Sequence, residues 1–189
     1  MADLRPGQVL REFKTKSGFP ATLRILQERD ASELRDYMNR LSEEDTFVAL
    51  SGEKVSLEEE EKFVNSLLKK FAAGDCLPIV CEINKKPVSI ARINRKQNMR
   101  KRSRHIGTIV ISVRKEYRGE GIGKECMKEL ISRAKNIKGI NILKLTAFAE
   151  NKPAIRLYEK CGFEIVGRLP RQYLYKGKYQ DNIIMQRGI

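Results

Sequence analysis

Val110-Ile111-Ser112-Val113, then after three residues Tyr117-Arg118-Gly119-Glu120-Gly121-Ile122-Gly123, is the stretch of this sequence that decides the fold. The first part closes an apolar, β-branched run over residues 105–113, which suits a strand buried in a sheet. The second part opens a helix. From Ile122 to about Asn136, Cys126, Met127, Leu130, Ile131 and Ala134 recur at spacings of one helical face, and Gly139 follows the end. A strand that feeds a helix through a glycine-rich turn is an anion site. The first amides of the helix have no partner within it. Glycine lets backbone approach an anion closely, and Arg118 adds a fixed, delocalised positive charge. Together they suit a pyrophosphate.

The spacing excludes two common phosphate loops. A dinucleotide fingerprint needs its third glycine three residues after the second, where Lys124 stands, and an early position in a parallel βαβ unit. This loop lies past the middle of the chain, after an antiparallel meander. A P-loop needs Ser or Thr after Gly-Lys, but Glu125 follows Gly123-Lys124.

Upstream, residues 10–15 and 21–25 alternate around Ser17-Gly18, a hairpin signal. Asp30 opens a helix with Leu34, Tyr37, Met38 and Leu41 on one apolar face. Ser56 and Glu59 form a capping box for a second helix carrying Phe63, Val64, Leu67, Leu68 and Phe71, which Gly74 ends. Strands are expected over 77–83 and 87–93, joined at Asn84-Lys85-Lys86, with a basic connection over 92–104. Downstream, a strand is expected over 140–149, a short helix over 151–161, and three strands over 163–167, 172–175 and 179–186. The order predicts an α/β chain with a mixed sheet. One domain is expected over 1–189, with residues 1–20 as an N-terminal arm and first hairpin strand.

These residues resemble a known family. The stretch at 110–123 is similar to the acetyl-CoA motif of the GNAT N-acetyltransferase superfamily. Asn151-Lys152-Pro153-Ala154-Ile155-Arg156-Leu157-Tyr158-Glu159-Lys160-Cys161-Gly162-Phe163 resembles its second motif, in the expected order. Residues 179–185 resemble the last strand of members that acetylate small amines or protein N-termini. The resemblance runs from about residue 21 to 186. It implies the GNAT fold, a mixed central sheet with flanking helices and a splay between two central parallel strands, here 105–113 and 140–149. It implies acetyl-CoA as cosubstrate and no metal. Backbone groups of Ile111 and Val113, with Ser112 between them, would meet the pantetheine arm. Arg118, Gly119, Glu120, Gly121, Ile122, Gly123 and Lys124 would hold the pyrophosphate. Asn151 would hydrogen-bond the arm, and Tyr158 would donate a proton to the departing thiolate.

The general base is not fixed by the resemblance. The strand position where many members carry glutamate corresponds to Gly107 here. The remaining candidates are Glu82 on an earlier strand and His105, or a water held between them. The implied reaction is transfer of acetyl from acetyl-CoA to a small amine, polyamine or protein N-terminus, by direct attack in a ternary complex. Glu43, Glu44 and Asp45 are candidates to draw in a cationic acceptor. The alternative is a member of the same fold that binds acyl-CoA or RNA without catalysis.

Net charge is +14, with a pI near 9.8. Charge of that size admits nucleic acid as a partner. The basic segment Arg92, Arg95, Lys96, Arg100, Lys101, Arg102, Arg104 lacks interleaved aromatics, so nucleic acid is the less favoured reading. A homodimer is compatible with the sequence. Cys76, Cys81, Cys126 and Cys161 lack zinc spacing, and their thiols are expected reduced, in or near a core. No long apolar run crosses a membrane, and residues 1–6 do not read as a secretory signal, so a cytoplasmic protein is expected.

Overall fold

The computed structural model of the chain describes residues 4–44, 46–47, 52–95, 101–137 and 139–189. Strands β1 (Val9–Lys14) and β2 (Pro20–Ile25) form the first hairpin. Helix α1 (Ala31–Glu43) follows, then α2 (Leu57–Ala72), whose N-terminus has the capping box that the sequence announces: Ser56 Oγ accepts from Glu59 N–H, and the Glu59 carboxylate accepts from Ser56 N–H. Strands β3 (Cys76–Ile83) and β4 (Lys86–Arg95) meet at a two-residue turn, with Asn84 and Lys85 both at positive φ. That backbone matches the twist of a tight hairpin. Strand β5 (Ile106–Val113), helix α3 (Ile122–Ala134) and strand β6 (Ile142–Phe148) make a parallel crossover. Helix α4 (Lys152–Lys160) and strands β7 (Glu164–Tyr175) and β8 (Lys178–Gly188) complete the chain.

The eight strands form one mixed sheet in the order β1-β2-β3-β4-β5-β6-β8-β7, parallel between β5 and β6. Side-chain alternation divides the core into two layers. Leu77, Ile79, Cys81 and Ile83 of β3 point to the back, where they share a cluster with Ile122, Cys126, Met127 and Leu130 of α3 and Ile155 and Tyr158 of α4. Cys76, Val80 and Ile90 point to the front, against Leu34, Tyr37 and Leu41 of α1 and Val64 and Leu67 of α2. All four cysteines are buried as free thiols.

The structure corrects two sequence expectations. The basic connection is shorter than 92–104, because β4 runs to Arg95. Arg92 lies in that strand with its guanidinium 5.3 Å from the centre of the Phe63 ring, and burial depresses its pKa. Residues 96–100 lie outside the described part. Secondly, 163–167 and 172–175 are one strand. Around Leu169-Pro170-Arg171 the register against β8 shifts, and Arg171 adopts φ 56°. Asp181 of β8 accepts from Arg171 N–H and from the Arg168 guanidinium, so β8 stitches the irregularity shut. Proline and a left-handed residue are consistent with a bulge as well as with a turn.

Candidate functional site

The β5/β6 pairing is brief. Ile106, Gly107 and Thr108 pair with Ile142, Leu143 and Lys144, and beyond them the two strands part. β5 stays paired with β4 to its end, Ser89 against Val113. Arg114 N–H donates to Val88 O of β4. Backbone polar groups alternate sides along a strand, so those of Ser112 also face β4 and those of Ile111 and Val113 face the gap. Beyond Thr108 this edge of β5 therefore pairs with no other strand among the described residues.

The edge leads directly to the glycine loop. Gly119 and Gly121 adopt φ 84° and 87°, which favour glycine, and among the described residues a Cβ on either would meet nothing within 4 Å. The loop is open on its outer side. Gly121 is the N-cap of α3, and no side chain caps the helix. The first helical bond is donated by Glu125 N–H to Gly121 O, so the amides of Ile122, Gly123 and Lys124 precede the ladder. Gly123 is glycine for a different reason: a Cβ there would lie 3.1 Å from Leu157 Cδ2, so its absence lets α4 pack against α3.

Two loop side chains have protein partners. Arg118 donates from Nε to Val113 O at 3.1 Å and from a terminal nitrogen to Glu44 Oε2 at 2.6 Å. Glu120 points away from the helix. Its carboxylate accepts from Ser17 N–H and Ser17 Oγ, both at 2.8 Å, and its carbonyl accepts from Lys16 N–H. The Ser17 amide, then its hydroxyl, hold the Glu120 pKa below the usual carboxylate range. The turn between β1 and β2 thus supports the loop from outside.

The second motif lies behind the sheet. Asn151 caps α4, its Oδ1 accepting from Ala154 N–H at 3.3 Å. Tyr158 faces the back core beside Phe163, and burial pushes its phenol up to about 12.

The three positions considered for the base are kept apart. Glu82 faces the front at the open end of the sheet. Its Oε2 accepts from Arg24 Nε, and the same buried guanidinium grips Asp30 through both carboxylate oxygens, at 2.7 and 2.8 Å. His105 precedes β5 at the closed end. Glu82 is level with Pro87 of β4 and Gly107 with Arg95, so strand rise alone separates Glu82 from His105 by about 30 Å. A water held between them is therefore excluded. Gly107 is also at the closed end: a Cβ there would lie 2.9 Å from Ile93 Cγ2 and 3.2 Å from Ile140 Cδ1. A carboxylate at that position would enter the apolar core.

On the front of the gap, sequence reading missed several residues. Tyr37 is almost wholly buried, with Arg114 stacked 5.0 Å from its ring centre. Its hydroxyl approaches the Ser112 side chain without completing a good hydrogen bond. Across the gap, Phe148 stacks on Tyr173 with centroids 4.0 Å apart, and Phe47 and Tyr175 close around it at 5.7 and 6.2 Å. Tyr37 reads in sequence as one more residue of an apolar helix face, and the other rings belong to no motif. Asp45 of the acidic trio lies outside the described residues. Glu43 pairs with Lys54, and Glu44 with Arg118.

Comparison with known proteins adds the following. The model of the acetyltransferase (GNAT) family matches residues 28–163. The L-amino acid N-acetyltransferase AaaT of Escherichia coli K12 is 34% identical over 88 residues, 47% of this chain and 54% of the relative. The spermidine N(1)-acetyltransferase of Vibrio cholerae is 30% identical over 71 residues, 38% of this chain and 41% of the relative. These matches span about half the length of the curated relatives. A GNAT-family acetyltransferase from Streptococcus pneumoniae superposes with TM-score 0.80 at 33% identity, covering 89% of this chain and 99% of that one. The yncA protein of Salmonella typhimurium, solved with acetyl-CoA, superposes with TM-score 0.77 at 18% identity over 89% of this chain and 93% of that one, a likeness of fold.

Proposed function

This chain belongs to the acetyltransferase (GNAT) family, and from that membership we propose that it moves the acetyl group of acetyl-CoA to a primary amine by direct attack in a ternary complex. The observation that carries the reading is the gap after Thr108 and Lys144, which runs into an open glycine loop at the N-terminus of a 13-residue helix. Both halves fit the cosubstrate. The edge offers the backbone groups of Ile111 and the Val113 N–H to the pantetheine amides, while the Val113 carbonyl accepts from Arg118 Nε. The amides of residues 119–124 and the helix dipole suit the pyrophosphate. Arg118 exchanges Glu44 for phosphate oxygens, and Glu120 keeps the loop in place through Ser17.

Acetyl-CoA supplies an activated acyl thioester. The amine nitrogen bonds to the acyl carbon, the carbon–sulfur bond breaks, and its electron pair stays on sulfur. Tyr158 meets that sulfur with its phenol. At about 12, the phenol is a weaker acid than a thiol of ordinary value near 8.5. Its contribution is therefore a hydrogen bond to the thiolate, and the proton lost by the amine reaches CoA through solvent. Asn151 orients the arm with the part of its amide that the helix cap leaves over. Glu82 anchors Arg24 and does not serve as base, and His105 is outside the gap.

Turnover of acetyl-CoA with a panel of primary amines tests this reading. Acetylated amine and free CoA in equal amounts are expected. Tight acetyl-CoA binding with no acetylated product from any amine would overturn it.

A further inference from the structure

The end of the sheet opposite the gap collects positive charge from three separate parts of the chain. Asp75 O accepts from Arg95 N–H, which sets the last turn of α2 beside the end of β4. His105 O accepts from the amides of Asn141 and Ile142, which sets the chain leaving α3 beside the start of β5. Lys69 and Lys70 of α2, Arg102 and Arg104 before β5, and Lys135 at the end of α3 therefore share one end of the molecule, and all five are exposed.

Elsewhere cations are matched with acids: Lys54, Lys62, Lys128 and Arg118 each hold a carboxylate. Among the described residues none of the five at this end does, and no acid occurs in the sequence between Glu82 and Glu116. Cations gathered without acids repel one another, and a polyanion reverses that cost. The surface is also polar. An open groove of about 530 Å³ runs along the outer face of α2, lined by Lys62, Asn65, Ser66, Lys69 and Lys70. The amides of Asn136 and Asn141 are exposed near Lys135. Among the described residues, no exposed large apolar side chain occurs on the last turn of α2, over residues 101–105 or at the end of α3.

We propose that this end is a docking surface for double-stranded RNA. The phosphates of a duplex repeat along its outside and are met by positive charge alone. A single strand would call for exposed rings to stack its bases, and a lipid surface for apolar groups to enter it; neither is offered here. The sequence concentrates charge in one connection, whereas the fold adds lysines from α2 at the front and from α3 at the back. Lys69, Lys70, Arg102, Arg104 and Lys135 meet phosphates. Asn136 and Asn141 meet ribose 2′-hydroxyls, which donate and accept as an amide does. The surface lies away from the gap, so the proposal does not depend on the acetyltransferase reading.

Fluorescence anisotropy tests it on the full chain, with an RNA duplex of about 16 base pairs, the DNA duplex of the same sequence, and vesicles of phosphatidylserine and phosphatidylcholine. The RNA duplex is expected to bind with a Kd of about 1–10 µM at about 100 mM salt, at least about threefold tighter than DNA. Lys70→Gln, Arg102→Gln and Lys135→Gln together, one change from each part of the chain, are expected to weaken RNA binding at least about tenfold. The slope of log affinity against log salt should become shallower by about 2–3, with acetyl-CoA affinity unchanged in calorimetry. Asn136→Ala with Asn141→Ala is expected to remove the preference for RNA and keep the slope. A parent without saturable RNA binding, or a triple variant that binds RNA as the parent does, would overturn the proposal. DNA bound as tightly as RNA would overturn the assignment to RNA, and binding of the vesicles but not of RNA would overturn it in favour of a lipid surface.

Discussion

Arg118 shows how little a motif says about the state of its own side chains. The sequence marks it as a phosphate ligand by its place before Gly119. Its partner Glu44 lies 74 residues away on another element, beyond the reach of any spacing rule. The pair is partly exposed, so its worth is modest. Glu44→Gln removes both a competitor for Arg118 and a negative charge beside the phosphates. Acetyl-CoA affinity is expected to rise about two- to fivefold, which calorimetry reads directly. Glu82 was legible as a carboxylate on a strand but not as a partner of Arg24, because that contact joins residues 58 apart. Tyr158 was visible through its motif, whereas its burial and raised pKa come from packing against α3 and the sheet. Tyr158→Phe keeps that packing. If the phenol stabilises the thiolate by a hydrogen bond to charge, kcat falls about 10–100-fold with little change in acetyl-CoA affinity. Wild-type turnover in that variant would remove the role.

Elements were read better than residues where their signals were local. The capping box at Ser56 forms as read, the turn read over Asn84-Lys85-Lys86 closes on Asn84 and Lys85 with Lys86 in β4, and Gly119 and Gly121 take the left-handed backbone; each depends on neighbours within a few positions. The reading of β7 failed for the opposite reason. Pro170 and Arg171 carry turn chemistry, but Asp181 on the next strand holds the chain in the ladder. The support of the glycine loop was likewise hidden: Ser17-Gly18 was recognised as a turn, while its bonds to Glu120 span 103 residues. Gly123 illustrates packing at this scale. A methyl group at 123 would press Leu157, so Gly123→Ala is expected to separate α3 from α4 and cost about 1–2 kcal/mol, measured as a shift of the urea midpoint. A stability above wild type would mean that Leu157 moves aside freely and the better helix propensity of alanine prevails.

At the scale of the whole molecule the mixed sheet was legible, because the strand-loop-helix order allows few topologies, and its splay was legible only through the family resemblance. The ring cluster beside the gap was not legible, since it assembles side chains from β6, β7 and the connection after α1. Stability draws on buried groups in both layers. Asp30→Ala would leave the buried Arg24 guanidinium without its bidentate partner, with an expected loss of about 3–5 kcal/mol in chemical denaturation. Alkaline pH acts through the thiols and Tyr158. Burial raises Cys76 and Cys126 from 9.0 to about 12, and Tyr158 from 10.0 to about 12. A group raised on folding holds its proton longer in the folded chain, so its contribution is complete below the unfolded pKa and is lost as pH rises towards the folded one. Thermal unfolding should therefore show a steady Tm up to about pH 9 and a falling Tm between about 9 and 12. The central claim is that the glycine loop and the gap together hold acetyl-CoA. Gly121→Glu sets a carboxylate where the phosphates would lie, with Gly121→Ala as the control for the strain any side chain meets at φ 87°, and calorimetric titration with CoA is its most direct test. The account predicts that CoA affinity collapses in the variant while circular dichroism stays native; unchanged affinity would contradict it.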